Sequence, residues 1–320
     1  MTNKEKYRLL SENEPCLPIF SRNWWLDTVC GAANWDVLLV EKNERILAAM
    51  PLYTPCPHVV SMPPFTQTMG PWFAPEDEGE AGYAARLERR QAICKGFVRE
   101  LERYRAFLQN FNYRITDWLP FYWRGYTQTT RYTYLLDGIG EPDILWRGMS
   151  LNIRRNITKA KGKYRITVKR GIPVDEFMRV YALTFSRQRK QPPGRDVLKR
   201  LIAVCRDRGQ GDLWGGYDGE GRLHAAAFIV WQAGGSAYYI AGGADPALRG
   251  SGAHALVLWE GIQAVSAFTS LFDFEGSMIP GVERFFRGFG GKQTPFFTIS
   301  KGKISLFDRA RSKLGRLLHH

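Results

Sequence analysis

Ser236-Ala-Tyr-Tyr-Ile-Ala241, Arg249-Gly-Ser-Gly-Ala-His254, Leu271-Phe-Asp-Phe-Glu-Gly276 and Gly281-Val-Glu-Arg-Phe-Phe-Arg-Gly-Phe-Gly-Gly291 are the stretches whose reading decides the fold. The first reads as a strand, the second as a small-residue loop opening an apolar helix, and the third as another strand. A strand that hands over to such a loop is an anion-binding device. Backbone N–H groups face a ligand there, and the helix N-terminus adds partial positive charge. Gly250, Ser251, Gly252 and Ala253 present no bulky Cβ to block close approach. Arg249 adds a full charge, and His254 either caps the first turn or contacts the ligand. The arrangement suits a pyrophosphate, hence a transferase with a phosphorylated donor.

Period-two alternation through residues 271–276 places Asp273 and Glu275 on one face and Phe272 and Phe274 on the other. Paired carboxylates beside a donor loop are candidates for removing a proton from a nucleophile or for orienting it. The competing reading has Glu275 accepting backbone hydrogen bonds or pairing with Arg284. Tyr239, next to Tyr238 on the preceding strand, is a candidate to orient an acceptor or protonate a leaving group. Packing in the core is the competing role. Arg284, Phe285, Phe286, Arg287 and Phe289 form an aromatic–basic segment whose arginines suit phosphate or carboxylate, or a short amphipathic helix whose Phe residues pack inward.

These motifs resemble those of a known superfamily. Arg249-Gly-Ser-Gly-Ala-His254 is similar to the acyl-CoA pyrophosphate loop of the GNAT acyltransferases, with Arg249 and Gly252 matching and His254 standing where Gly or Ala is usual. Phe272-Asp-Phe-Glu-Gly-Ser277 and the tail to Gly291 resemble the Fem-like branch, which holds peptidoglycan aminoacyltransferases and related acyltransferases. Phe20-Ser-Arg-Asn-Trp-Trp-Leu-Asp27 and Met69-Gly-Pro-Trp72 resemble its opening segments more weakly. The resemblance implies an α/β (α+β) fold of two tandem GNAT-like domains, with mixed central sheets flanked by helices. It implies acetyl-CoA or another acyl-CoA as co-substrate, no metal, and acceptor contacts from Arg284, Phe285 and Arg287. The tail Lys of the branch is replaced by Phe286, with Arg287 beside it.

A chain of 320 residues favours two domains. Residues 1–140 read as the first, 141–304 as the second with the donor loop, and 305–320 as a basic amphipathic helix. Within the first, helix-like residues 24–30 precede a hairpin of strands 35–40 and 45–53 joined at Glu41-Lys-Asn-Glu44. Residues 55–75 read as a Pro- and aromatic-rich loop, 81–106 as a helix, and 112–118 and 130–136 as strands. In the second, helices are expected at 151–160, from Asp175 with Phe177, Val180, Tyr181 and Phe185 inward, and on to Arg206. Gln191-Pro-Pro-Gly194 breaks that run. Strands follow at 213–217, 224–231 and 236–241, with a tight turn at Asp218-Gly-Glu-Gly221.

The five cysteines are scattered and odd in number, which argues against a disulfide framework and a zinc site. Cys30 and Cys205 read as buried thiols. No apolar run approaches the ~20 residues that span a bilayer. The N-terminus lacks a signal-peptide pattern, so a cytoplasmic protein, possibly peripheral to membranes, is expected.

The net charge is +14, and residues 151–190 hold twelve Lys or Arg against two acids. Arg154, Arg155, Lys159, Lys161 and Lys163 can hold the phosphates of a nucleotide-linked or lipid-linked acceptor, or a tRNA backbone. No motif for sequence-specific nucleic-acid recognition is present. The helix expected at 305–318 either lies on an anionic membrane or packs on the body. The leading expectation is transfer of an acyl group, acetyl first, to the amine of an amino sugar or peptide in envelope or polysaccharide synthesis. Two rivals stand: a tRNA-dependent Fem-type aminoacyltransferase and a non-catalytic module that binds an envelope lipid.

Overall fold

The structure, a computed structural model, describes residues 1–75, 82–186 and 194–303. In chain order the elements are α1 (Asn3–Asn13), α2 (Asn23–Cys30), β1 (Trp35–Lys42), β2 (Arg45–Cys56), β3 (Val59–Ser61), β4 (Trp72–Phe73), α3 (Tyr83–Leu101), β5 (Ala106–Asn110), α4 (Leu119–Tyr122) and β6 (Thr127–Asp137). There follow α5 (Pro142–Gly148), α6 (Leu151–Gly162), β7 (Thr167–Arg170), α7 (Val174–Ser186), α8 (Arg195–Asp207), β8 (Gly211–Tyr217), β9 (Leu223–Trp231) and β10 (Ser236–Ala244). Last come α9 (Ala253–Val265), β11 (Leu271–Asp273), α10 (Pro280–Arg287) and β12 (Lys292–Lys301). The chain forms two compact units, Met1–Arg131 with the segment from Pro295, and Tyr132–Thr294. Both are mixed α/β, as expected.

The first unit is built on the order β1-β2-β3-β5-β12, with β4 beside β2. Asn43 and Glu44 both take positive φ at the β1–β2 turn, the geometry that matches the twist of paired strands. Two sequence expectations fail here. Residues 112–118 form no strand, and the strand lies earlier, at β5, because the α3 helix stops at Leu101 rather than running to Ala106. The loop expected over 55–75 contains the short strands β3 and β4. Cys94, Phe97, Val98 and Leu101 of α3 pack with Phe107, Phe111 and Phe121 in one apolar cluster.

The second unit has the order β6-β11-β10-β9-β8-β7. Every residue of β9 is buried, as suits a central strand covered on both faces. Side chains alternate strictly across it. Ala225, Ala227, Ile229 and Trp231 join the cluster of α6 and α9. On the other face, Phe228 and Val230 lie where a Cβ on Gly211 would meet Cys205 of α8. α9 is apolar nearly all round and buried, which is how a helix pressed between layers reads. Gly261 lets it sit close, since a Cβ there would lie 2.4 Å from Ile229 Cδ1.

Cys30 and Cys205 are buried thiols, raised by burial, and Cys94 is a third, pushed up to about 12. Phe177, Val180 and Tyr181 are buried as expected. The Phe185 side chain, the break before Gly194 and residues 305–320 lie outside what is described. No helix among the described residues is long and apolar enough to cross a membrane.

β11 is shorter than its sequence pattern. It ends at Asp273, Glu275 takes a left-handed φ of 57°, and Gly276 follows at 63°. A Cβ on Gly276 would lie 2.0 Å from Tyr132 O and 2.7 Å from Thr133 Cα, so the turn fits only because that Cβ is missing. Gly276→Ala is expected to lower unfolding free energy by at least about 2 kcal/mol, read from denaturant midpoints at constant m.

Candidate functional site

The site grows from two strands that part. β10 and β11 pair in parallel only over Ser236–Tyr238 and Leu271–Asp273, although β10 runs on to Ala244. Beyond Tyr238, then, the β11-facing edge of β10 has no strand partner among the described residues. On its other edge β10 stays paired with β9, with a register shift between Tyr239 and Ala241. The shift re-aims the side chains at the fork, as bulges do. Gly242 and Gly243 follow. A Cβ on Gly242 would lie 2.6 Å from Tyr239 Oη, and one on Gly243 would lie 1.9 Å from Thr184 Oγ1 of α7. The glycine pair is therefore what lets α7 close over β10 while the Tyr239 phenol keeps its position.

The fork gathers the residues that the sequence marks as catalytic candidates, though not by the alternation expected. Asp273 is fully buried. Its Oδ1 accepts from Thr133 Oγ1 and from the Glu275 amide, the latter at 2.7 Å. Asp273 thus holds the turn that presents Glu275. Phe272 and Phe274, expected opposite the acids, are as buried as Asp273, because the chain leaves the strand at Phe274. Glu275 Oε1 is shut from solvent without a hydrogen-bond partner. Burial, and next the Asp273 charge, raise the Glu275 carboxyl well above its usual range. No Arg284 pairing is made; Arg284 is exposed.

Tyr239 lies 3.2 Å from His254 Nε2 through its hydroxyl. The His254 ring stacks on Phe285 at 5.0 Å, and Tyr239 meets Phe286 edge-on at 5.6 Å. Although partly accessible, the imidazole is wrapped by these rings, and desolvation pushes its pKa down to about 4. It is neutral at physiological pH. Burial, helped by Tyr181 and Glu275, raises the Tyr239 phenol, so Tyr239 remains a hydrogen-bond donor. His254 was expected to cap the first turn or to touch the ligand; its side chain joins the loop to the fork.

The loop itself is braced from beneath. Ser251 is buried, and its Oγ accepts from the Ala253 amide at 3.2 Å. Ser251 Oγ is 3.0 Å from His224 Nδ1, and His224 Nε2 is 2.9 Å from Asp218 Oδ2. Asp218 is held well below the usual carboxylate range, first by His224 and then by backbone and side-chain hydrogen bonds from Arg222. The ionised acid accepts a hydrogen bond from the Nε2 side of the ring, and Nδ1 faces the Ser251 hydroxyl. This serine is too buried to meet a substrate, and the chain is a strut. In the sequence Asp218 reads only as a turn residue and His224 only as the start of a strand.

Not all the loop amides are open to a ligand. Ser251 N donates to Leu248 O, and Gly252 N leans on Arg249 O. The amides of Gly250 and His254 have no intrachain acceptor among the described residues. Arg249 and Gly250 are exposed, and Ala253 is buried. Gly252 holds φ at 79°, and a Cβ there would lie 2.5 Å from Asn156 O of α6. The glycine is needed to seat the loop on α6, so Gly252 substitutions report on folding as well as on binding.

The tail segment folds as α10. Phe286 and Phe289 are buried against Phe274, Phe285 is half-buried, and Arg284 and Arg287 are exposed. Arg287 pairs with Glu283 at 2.9 Å, and Glu283 accepts from the Tyr134 hydroxyl. Gly288 must lack a Cβ because Ile153 Cγ1 would lie 2.7 Å away. Arg154 and Arg155 lie on α6 and are not gathered at the fork. Among the described residues no group of three or more His, Cys, Asp or Glu is placed to hold a metal.

Residues 148–287 match the family model of the acetyltransferase (GNAT) domain. A search of curated proteins by sequence finds no match. Among solved structures, FemX is similar over 100% of this chain and 99% of its own, at 13% identity and a TM-score of 0.64. L-PGS from Bacillus licheniformis is similar over 100% and 98%, at 12% identity and a TM-score of 0.55. A tandem GNAT protein from the clavulanic acid biosynthesis pathway is similar over 94% and 94%, at 13% identity and a TM-score of 0.51.

The raised Glu275 carboxyl gives a signed expectation. A folded pKa above the unfolded value of 4.5 means stability is fully present below that value and declines as pH rises through the folded one. Glu275→Gln removes the charge and the decline. The variant is expected to match the wild type near pH 4 and to exceed it increasingly toward neutral pH, in urea unfolding followed across pH. A variant that is less stable at neutral pH contradicts this burial.

Proposed function

We propose that this chain, whose residues 148–287 match the acetyltransferase (GNAT) domain model and whose fold is similar to those of FemX and a tandem GNAT protein, transfers an acyl group from acyl-CoA, acetyl first, to an amine. The acceptor is an amino sugar or peptide of envelope or polysaccharide synthesis. The observation that carries this reading is the fork. It joins an unpaired strand edge, a desolvated carboxyl and a phenol to a loop with open amides.

Each part has a chemical task. The unpaired β10 edge suits an extended arm bearing amides, which adds to a sheet as a strand does. The amides of Gly250 and His254 with the Arg249 side chain suit the donor diphosphate at the head of α9. The thioester then lies between Tyr239 and Glu275. As the amine nitrogen attacks the carbonyl carbon, the C–N bond forms and the C–S bond breaks. Glu275, whose carboxylate is made more basic by burial, takes the proton released from nitrogen. With His254 donating from Nε2 to the Tyr239 oxygen, the phenol proton faces the departing sulfur and stabilises it. Asp273 acts through Glu275 by fixing its turn. Arg284, Phe285 and Arg287 on α10 border the acceptor side, Arg287 giving up or sharing its Glu283 partner.

Calorimetry against acetyl-CoA, free CoA and longer acyl-CoAs tests the donor. Arg249→Ala is expected to weaken CoA binding about tenfold, and Gly252 is avoided because its change disturbs folding. Glu275→Gln is expected to lower kcat roughly a hundredfold or more with little change in CoA affinity. Absence of CoA binding, with turnover of charged tRNA instead, would replace this reading by the aminoacyl-transfer one.

A further inference from the structure

α6 carries its apolar residues Ile153, Ile157 and Ala160 inward. Its opposite side forms, with Trp146 of α5, an open groove of about 590 Å³. Leu151, Arg154, Arg155, Lys159 and Lys163 line it with Trp146. The lining contains no acid. Among the described residues none of these four cations enters an ion pair, whereas Lys161, one residue outside the lining, is tied to Glu260 at 2.7 Å. Arg154 Nε is shut from solvent and has no hydrogen-bond acceptor. A buried guanidinium nitrogen left without an acceptor is costly, and a turn of the Arg154 side chain onto an anion in the groove would relieve it.

The remaining walls say what the anion is attached to. Trp146 is half-buried, and Leu151 is 53% exposed at the mouth. Four cations around an aromatic and an aliphatic surface fit a phosphate ester whose body is apolar or aromatic. A free polyanion would leave those surfaces wet. We propose that this groove binds the phosphate or diphosphate of the acceptor, separately from the donor loop. The role as acceptor site rests on the acyltransferase reading, but the binding does not.

Two probes distinguish the sources of such a phosphate. Inorganic pyrophosphate is titrated by calorimetry, and vesicles of phosphatidylglycerol with phosphatidylcholine are compared with phosphatidylcholine alone by sedimentation. The proteins are the full chain, Arg155→Gln/Lys159→Gln in the groove, and Arg249→Ala at the donor loop. At least one probe is expected to bind, to weaken about tenfold in the groove double variant, and to be retained by Arg249→Ala. Acetyl-CoA affinity should remain unchanged in the double variant. Pyrophosphate binding alone identifies a soluble phosphate ester, and vesicle binding identifies a lipid headgroup. The proposal is overturned if neither probe depends on the groove, if RNA is the sole ligand that does, or if the double variant loses acetyl-CoA affinity in step. Failure here leaves the donor titration standing, and failure of the donor titration leaves this one standing.

Discussion

Everything at the site follows from one hydrogen-bonding decision, the diversion of Asp273 from solvent into the protein. Once its Oδ1 takes the Thr133 hydroxyl and the Glu275 amide, the chain can no longer continue as a strand. It turns left-handed at Glu275 and is locked by Gly276 against β6. β11 therefore stops while β10 continues, and the sheet opens along a line that a ladder would otherwise have closed. A sheet gives up hydrogen bonds in this way only where something else occupies the edge or where tertiary packing forces it. Here α7, Gly242 and Gly243 supply that packing.

The second constraint is the distance between layers. Ala225, Ala226 and Ala227 run consecutively through β9, so both faces of the central strand are low at that level. Ile229 then meets Gly261 on the α9 side. The height of α9 above the sheet sets where its first turn begins, and Gly252 against Asn156 fixes the same turn from the α6 side. The Asp218–His224–Ser251 strut adds a third support. Three independent braces on one short loop are consistent with a loop that must be rigid before its ligand arrives, since preorganisation removes ordering costs from binding.

Much of this could be read from the sequence, and what could not has specific causes. The strand, loop and apolar helix around 236–265 carried local signals: β-rich runs, small residues and an apolar helix. The core role of the tail aromatics was visible as one of two readings, and Phe286 and Phe289 took it. The helix read over 81–106 ran too far because Ala106-Phe-Leu continues an apolar pattern that suits either element. β12 went unread because Pro295 and its polar neighbours give it no alternation. The Asp273/Glu275 pair is legible as a pattern, but its geometry is not, since the break at Phe274 depends on how closely Gly276 approaches Tyr132. His224 had no local signal at all; its importance comes from partners six residues behind and 27 ahead.

The neutral ring of His254 has a consequence for acidification. Above pH ~6.5 it is uncharged whether folded or not, and only below that does the unfolded chain gain a proton which the wrapped imidazole refuses. Mild acid thus draws on the protein at the junction between loop and fork. In a slightly sour medium the joint between helix head and fork therefore feels two opposed pulls, the proton its imidazole refuses and the proton the Glu275 carboxyl keeps.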